Sequence, residues 1–180
     1  GAPMRRRGQS TVEYVLIGAA VVAALAAMST YVRRAVQANF KQLEETKALV
    51  AEFYGLKPDE IAVCSCSSEA YNLAAIALQL KDGDEVVVND LDFPAGVTPW
   101  LQPSSPAAVR VWRSRNGALH VDDLAALLNA KTRLVTTSLV SFFNGFVVSL
   151  PAVRDAVRRH SPALLSVDVT QALGRIPLDL

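Results

Sequence analysis

Asp168 and Gln171 are the side chains whose types and spacing most directly suggest chemistry. They follow the apolar residues Leu164, Leu165 and Val167, which predict a strand that is buried on both faces. In an α/β fold such a strand presents functional groups at its carboxyl end. A carboxylate in an apolar setting is costly unless a cation meets it, and a protonated pyridine nitrogen is such a cation. The alternative is that Asp168 caps the next helix and that Gln171 lies on its surface.

A second group of candidates lies where a predicted strand turns into a predicted helix. The strand is expected from Ile61 to Cys64 and the helix from Ser68 to Leu80, which puts Ser67 and Ser68 at the helix N-terminus. Free amides, the helix dipole and two hydroxyls together suit a phosphate group. A plain serine N-cap is the alternative.

An alternation of strands and helices must position these groups. Asn116-Gly117 marks a tight turn, the segment PWLQPSSPAA is expected to be a surface loop, and Asp122 is expected to be a helix N-cap. This order predicts an α/β fold with a mainly parallel sheet and flanking helices. Further strands are predicted at Glu85 to Val88, Val109 to Trp112, Arg133 to Ser138 and Leu164 to Val167, and further helices at Asp122 to Leu128 and Leu150 to Arg159.

Segments spread over residues 43–180 resemble, in order, the class V aminotransferase and cysteine desulfurase family of pyridoxal phosphate enzymes. The segment ALVAEFYGLKPDEIAVCSCSSEAYNLAAIAL is similar to the family's helix, strand, phosphate turn and helix. Within it, Ser67, Ser68 and Glu69 match the second half of the family's Thr-Ser-Gly-Ala-Thr-Glu turn. The resemblance implies that the two serines hold the cofactor phosphate.

Two cysteines depart from this turn. Cys64 and Cys66 stand where the family has threonine and glycine, so a side chain is added where the backbone approaches a phosphate. We expect both cysteines to be small, buried and reduced, because two cysteines that stand two positions apart on a strand cannot easily form a disulfide. No histidine or further cysteine stands at ligand spacing, so no metal site is predicted.

The same resemblance assigns the other site residues. In VVVNDLDFPAGVTPW, Phe93 matches the residue that lies over the cofactor ring, and in TTSLVSFFNGF the register set by Gly145 places Ser141 at the ring oxygen. The resemblance implies that Asp168 pairs with the pyridine nitrogen and that Gln171 bonds the ring substituents. The fold it implies is a partial large domain of fold type I.

The family's Schiff-base lysine has no counterpart in this sequence. It would follow Asp168 at a distance that passes Leu180, and Lys131 lies in a helix-to-strand connection that has no catalytic role in the family. The resemblance therefore implies a truncated domain without covalent attachment of pyridoxal 5'-phosphate, and we expect it to be inactive alone. The family is usually dimeric, which predicts a homodimer or other self-association.

Residues 4–40 resemble the class III signal segment of Flp-type and related type IV pilins. Gly8, Gln9 and Glu13 match the positions that surround the cleavage point in that family. Residues 15–32 form an uncharged apolar run behind a basic flank, close to the ~20 residues that a membrane span needs. The resemblance implies a filament or membrane partner. A secretory signal and a buried core helix are the alternatives.

The apolar helix is expected to continue well beyond this run. Val36, Phe40 and Phe53 belong to a series of apolar residues at three- and four-residue spacings, and Gly55 with Pro58 ends it. The predicted organisation is thus a long N-terminal apolar helix before the α/β fold. Its two domains are a pilin-like segment at 1–40 and a partial transferase-like domain at 41–180.

Three interpretations stay open. The first is an incomplete pyridoxal phosphate enzyme of aminotransferase, desulfurase or lyase ancestry, in the cytoplasm. The second is a pilin-like or membrane-anchored structural subunit with a non-catalytic globular domain, at the inner membrane or cell surface. The third is a joined gene fragment. With a net charge of +1 and scattered basic residues, nucleic-acid binding has little support. The sequence also has no glycine-rich loop of the Walker or dinucleotide type.

Overall fold

The computed structural model describes residues 11–177, which form two compact units. One unit ends at Val63 and the other begins at Cys64. Of the residues matched to the pilin signal, Gly8 and Gln9 lie outside the described part, as does the side chain of Glu13.

One long helix, α1, makes up most of the first unit. It spans Thr11–Tyr54 and ends as predicted at Gly55, whose φ of 67° is a left-handed conformation that glycine adopts without strain. The N–H of Leu56 donates to the carbonyl of Ala51 at 2.8 Å, which satisfies a helix-end carbonyl. A short 3-10 turn, Pro58–Glu60, follows.

The predicted membrane span over residues 15–32 falls in part on residues whose side chains lie outside the described part. Among the residues that the structure does describe, no helix combines the length and the apolarity that crossing a membrane requires.

The second unit is an α/β sandwich around a four-stranded parallel sheet, which confirms the predicted fold class. The strand order is β2-β1-β3-β4, and every neighbouring pair is parallel. In chain order the elements are α2 (Ser67–Ala77), β1 (Glu85–Asn89), α3 (Pro94–Leu101), β2 (Ala108–Trp112), α4 (Val121–Leu127), β3 (Thr132–Ser138), α5 (Leu150–His160) and β4 (Leu164–Asp168).

The sheet separates two apolar cores. The β-branched run in β1 is buried along its whole length, since consecutive side chains point to opposite faces and each face is covered. One core contains Val87 of β1 together with Trp112 and Leu124. The other contains Val86 and Val88 with Trp100, Leu134 and Ala107.

Three local predictions were wrong. The expected strand from Ile61 to Cys64 is not formed, since it pairs with no strand of the described sheet. The surface loop expected at PWLQPSSPAA is partly helical, because its first three residues belong to α3, a helix that Pro94 starts. Asp122 lies in the first turn of α4, where His120 holds the N-cap position.

The last strand also differs from its prediction. We expected β4 to be buried on both faces, but it is an edge strand that pairs only with β3, and Leu164 is 61% exposed. The apolar residues of this segment were read correctly as a strand. Burial depends on neighbouring elements, which the segment itself does not specify.

Candidate active site

The carboxyl ends of β1, β3 and β4 meet at one edge of the sheet. The chain leaves β1 towards β2 on one side and leaves β3 towards β4 on the other, so the connections diverge between β1 and β3. In open parallel sheets such a switch point opens a crevice that binds ligands.

A pocket of about 110 Å³ opens at this edge. It brings together four of the six predicted binding residues, namely Ser67, Phe93, Asp168 and Gln171. Ser138, Phe142 and Thr170 complete its lining. A second space of about 430 Å³ shares Ser67, Asp168 and Thr170 with this pocket and runs between α2 and β4.

Asp168 stands at the end of β4 with its carboxylate held in place. Its backbone is opposite Ser138 in the β3–β4 register, and its Oδ1 accepts a hydrogen bond of 2.8 Å from the N–H of Thr170. Gln171 is oriented by Arg175, whose Nη1 donates to Gln171 Oε1 at 2.8 Å. Both polar groups therefore reach the pocket in defined orientations.

Ser67 and Ser68 occupy the first turn of α2, as predicted, although only Ser67 lines the pocket. Glu69 fixes this turn, because its carboxylate accepts hydrogen bonds of 2.7 Å from both the hydroxyl and the N–H of Ser65. These two bonds lower the pKa of Glu69. The Ser68 carbonyl accepts a hydrogen bond of 2.8 Å from Asn72 Nδ2.

The two cysteines are unpaired, but their predicted burial was wrong. Cys64 is half-buried and Cys66 is exposed at the N-cap of α2. Hydrogen bonding, first from the backbone of Glu69 and then from the side chain of Ser65, lowers the pKa of the Cys66 thiol. Both cysteines lie in the irregular segment that precedes α2, outside any described strand.

Two aromatic rings wall the pocket. Phe93 and Phe142 meet edge to face, with 5.1 Å between ring centroids and an interplanar angle of 87°. Both rings are about half exposed, at 50% and 46%. Phe142 was missed from the sequence, where the only signal was the aromatic pair that follows Ser141.

Ser141 is not brought to the pocket. Its side chain is buried, its hydroxyl donates to the carbonyl of Leu91 at 3.0 Å, and it accepts a hydrogen bond of 3.2 Å from the N–H of Phe143. The structure therefore gives Ser141 bonds within the scaffold that supports the two aromatic walls.

Asp92, also missed from the sequence, lies close to Asp168 in this crevice. Burial raises the pKa of Asp92, and the charge of Asp168 adds to that effect. Burial, with a further contribution from Asp168, also raises the pKa of Tyr71 to about 12. The surroundings of Asp168 therefore disfavour further negative charge and favour a cationic partner.

The sequence model of the family described as aminotransferase class-V matches residues 19–180. This chain belongs to the class-V aminotransferase family. It is 32% identical to the uncharacterized aminotransferase YcbU of Bacillus subtilis over 79% of this chain and 39% of that protein. It is 28% identical to a probable cysteine desulfurase of Mycoplasma pneumoniae, over 77% of this chain and 35% of that protein.

Solved structures share the fold of this class-V chain. The cystine C-S lyase C-DES, in complex with its product cysteine persulfide, gives a TM-score of 0.72 at 24% identity and covers 88% of this chain and 45% of that one. The Escherichia coli cysteine desulfurase CsdA gives a TM-score of 0.66 at 22% identity and covers 75% of this chain and 35% of that one. This chain thus spans less than half of the length of each of these four proteins.

The family match also bears on the N-terminal segment. It begins at residue 19, inside the run that resembles a pilin signal, so part of that run is accounted for by the aminotransferase family. The comparisons give the pilin signal itself no support.

Class-V aminotransferases depend on pyridoxal 5'-phosphate, and the residues of the pocket fit that group. Asp168 offers a carboxylate to a protonated ring nitrogen, and Phe93 offers an aromatic face to the ring. Ser67, at the N-terminus of α2, offers an amide and a hydroxyl to a phosphate. Gln171 adds a polar side chain at the same pocket.

Proposed function

We propose that this chain is the cofactor-binding part of a class-V aminotransferase-like enzyme and binds pyridoxal 5'-phosphate without covalent attachment. The observation that carries the proposal is the meeting of Ser67, Phe93, Asp168 and Gln171, from three separate segments, in one pocket at the switch point of the sheet. When bound, the cofactor supplies an electron-withdrawing ring for reactions at the carbon next to a substrate amine.

Each of these residues has a distinct role in the proposal. Asp168 keeps the ring nitrogen protonated, since a carboxylate stabilises a nearby cation. Phe93 stacks on the ring while Phe142 supports it from the side. The α2 N-terminus with Ser67 and Ser68 binds the phosphate, and Gln171 bonds a ring substituent.

Turnover would need a lysine from outside this sequence. No lysine follows Lys131, which lies between α4 and β3. We therefore propose that these 180 residues bind the cofactor but are inactive alone. The substrate class stays open among the aminotransferase, desulfurase and lyase activities, and the proposed function goes with a cytoplasmic location and with self-association.

The pilin-like alternative rests on the pattern in residues 4–40 alone. A filament or membrane role for that segment is a proposal that no observation on residues 11–177 favours over the enzyme-like function.

Calorimetric titration with 4'-deoxypyridoxine 5'-phosphate tests the proposal. This analogue keeps the ring nitrogen and phosphate but lacks the aldehyde, so it cannot react with surface lysines. We expect saturable binding, weakened about tenfold or more in Asp168→Ala because the ring cation loses its partner. Asp155→Ala removes an exposed carboxylate of α5 and is the matched control. Absence of binding, or equal binding by the Asp168 variant, would overturn the proposal.

A further inference from the structure

We propose that Asp92 is the positioning residue that fixes Phe93 over the pocket and thereby sets the affinity of the site for a planar cationic ring. This inference rests on the proposed function and adds to it a residue that does not itself line the pocket.

The carboxylate of Asp92 spans the crevice between β1 and β3. Its Oδ1 accepts a hydrogen bond of 2.7 Å from the N–H of Ser138, the last residue of β3 and part of the pocket lining. Its Oδ2 accepts one of 2.9 Å from Nδ2 of Asn89, the last residue of β1. One side chain therefore ties the turn after β1 to the ends of both central strands.

Asn89 makes this tie rigid. It is 3% exposed, its Oδ1 accepts a hydrogen bond of 3.0 Å from the N–H of Leu91, and its Nδ2 also donates to Thr137 Oγ1 at 3.2 Å. The turn is thus held at both of its ends by groups inside the sheet. A buried network of this kind, with its groups satisfied, specifies one conformation.

Phe93 follows directly from this tied position. It is the N-cap of α3, and its carbonyl accepts a hydrogen bond of 3.0 Å from the N–H of Gly96, so the backbone on both sides of the ring is fixed. The half-exposed ring has only Phe142 as an aromatic neighbour among the described residues. Its direction over the pocket therefore depends on the Asp92 tie more than on core packing.

The charge of Asp92 supports the same assignment. It is partly buried beside Asp168, and both burial and that neighbour raise its pKa. A carboxylate kept in such a place is better tolerated when a cation occupies the adjacent pocket. A ligand ring that carries a proton supplies that cation.

The test compares four variants by calorimetry with 4'-deoxypyridoxine 5'-phosphate and by hydrogen exchange of the free protein. Asp92→Ala removes both bonds, whereas Asp92→Asn keeps an acceptor for Ser138 but turns an amide group towards Asn89. The double variant Asn89→Asp/Asp92→Asn reverses donor and acceptor and restores the tie. Asp90→Asn is the matched control. Asp90 lies in the same turn as Asp92, but its Oδ1 accepts a hydrogen bond of 2.8 Å from the N–H of Ser114, which follows β2.

We expect Asp92→Ala to bind 4'-deoxypyridoxine 5'-phosphate about tenfold more weakly, because a well-placed aromatic contact contributes about that much. The affinity of Asp92→Asn should lie between those of Asp92→Ala and the wild type. The double variant should return to within about twofold of wild type, and Asp90→Asn should match wild type. The amide of Ser138 should exchange faster in Asp92→Ala and regain protection in the double variant.

Two results separate this inference from the proposed function. If the wild type binds and Asp92→Ala binds equally well, the role of Asp92 is overturned but the proposed function is not. The same holds if Asp92→Ala binds more weakly without faster exchange of the Ser138 amide. No binding by the wild type would overturn the proposed function and this inference with it. If Asp92→Ala does not fold, the comparison of Asp92→Asn with the double variant decides, since rescue is expected only from a restored tie.

Discussion

At the residue scale, the exposed aromatic wall makes a direct prediction. Phe93→Ala should weaken binding of 4'-deoxypyridoxine 5'-phosphate about tenfold, because the stacked face is lost, and Phe142→Ala should have a smaller effect. Both rings are about half exposed, so the free energy of unfolding should change little. Calorimetry and urea denaturation measure the two quantities.

Phe143 provides the control for this pair. It is 75% exposed and is not part of the pocket lining, so Phe143→Ala should bind like wild type. Equal losses in all three variants would mean that the aromatic residues act through general surface effects instead of stacking.

Tyr71 makes a prediction about alkaline pH. Its phenol has a pKa raised from 10.0 to about 12, first by burial and then by Asp168. A raised pKa contributes stability that is fully present below pH 10 and is lost as pH rises towards 12, since the unfolded chain releases the proton first. Tyr71→Phe should therefore lose less stability than wild type between pH 10 and pH 12.

Denaturation at a series of pH values measures this difference. Tyr54→Phe is the control, since Tyr54 belongs to the other unit. If the wild type and Tyr71→Phe lose stability in parallel above pH 10, the raised pKa of Tyr71 is contradicted.

The sequence indicated some of these residues and not others. Asp168, Gln171 and Ser67 follow recognisable strand and helix boundaries, and they do meet in one pocket. Asp92 and Phe142 could not be found in this way, because their roles arise from contacts with Ser138 and Phe93 across the crevice.

At the element scale, a buried ionic group anchors the opposite end of the sheet. Glu85 begins β1, where Oε1 accepts a hydrogen bond of 2.9 Å from Arg110 Nη2 and Oε2 accepts one of 2.8 Å from Asn129 Nδ2. Glu85→Gln should lower the free energy of unfolding by about 1 to 2 kcal/mol at neutral pH. The NH₂ group of the glutamine would face Arg110 or Asn129, and each of these side chains is itself a donor there. Asp155→Asn, on the exposed surface, should change it by less than about 0.5 kcal/mol.

The pH dependence of this loss tests its cause. The hydrogen bond from Arg110, followed by that from Asn129, holds the pKa of Glu85 below its ordinary value of 4.5. The stability contributed by Glu85 is therefore present above pH 4.5 and is lost as pH falls through the lower pKa of the folded state. The gap between wild type and Glu85→Gln should narrow below pH 4.5, and a constant gap would contradict this explanation.

Elements were predictable where one segment holds its own signal. The apolar run of β1 predicts a central strand, and Gly55 predicts the end of α1, where its φ is indeed left-handed. The segment from Ile61 to Cys64 has a similar composition, but no described strand pairs with it. Strand formation depends on a partner, which local composition does not reveal.

At the scale of the whole molecule, the β4 edge of the sheet is uncovered in the part of the chain that the structure describes. Leu164 is 61% exposed there, and the outer backbone groups of β4 pair with no described strand. Exposed apolar edges favour association between chains. Leu164→Lys should therefore shift the chain towards monomer, as measured by light scattering after size exclusion.

An exposed apolar residue away from the edge supplies the comparison. Ile76 of α2 is 74% exposed, so Ile76→Lys makes the same chemical change on a helix. Equal effects of the two variants would assign association to general surface apolarity, and no effect of Leu164→Lys would exclude the β4 edge as the contact.

In the proposed site Asp168 holds a protonated ring in the pocket. The ¹⁵N chemical shift of ring-labelled 4'-deoxypyridoxine 5'-phosphate, followed against pH in the bound state, reports that proton directly. We predict that the bound ring nitrogen stays protonated at pH values where the free ligand has lost its proton, and that Asp168→Asn removes the difference. A bound ring that titrates like the free ligand in the wild type would contradict the account.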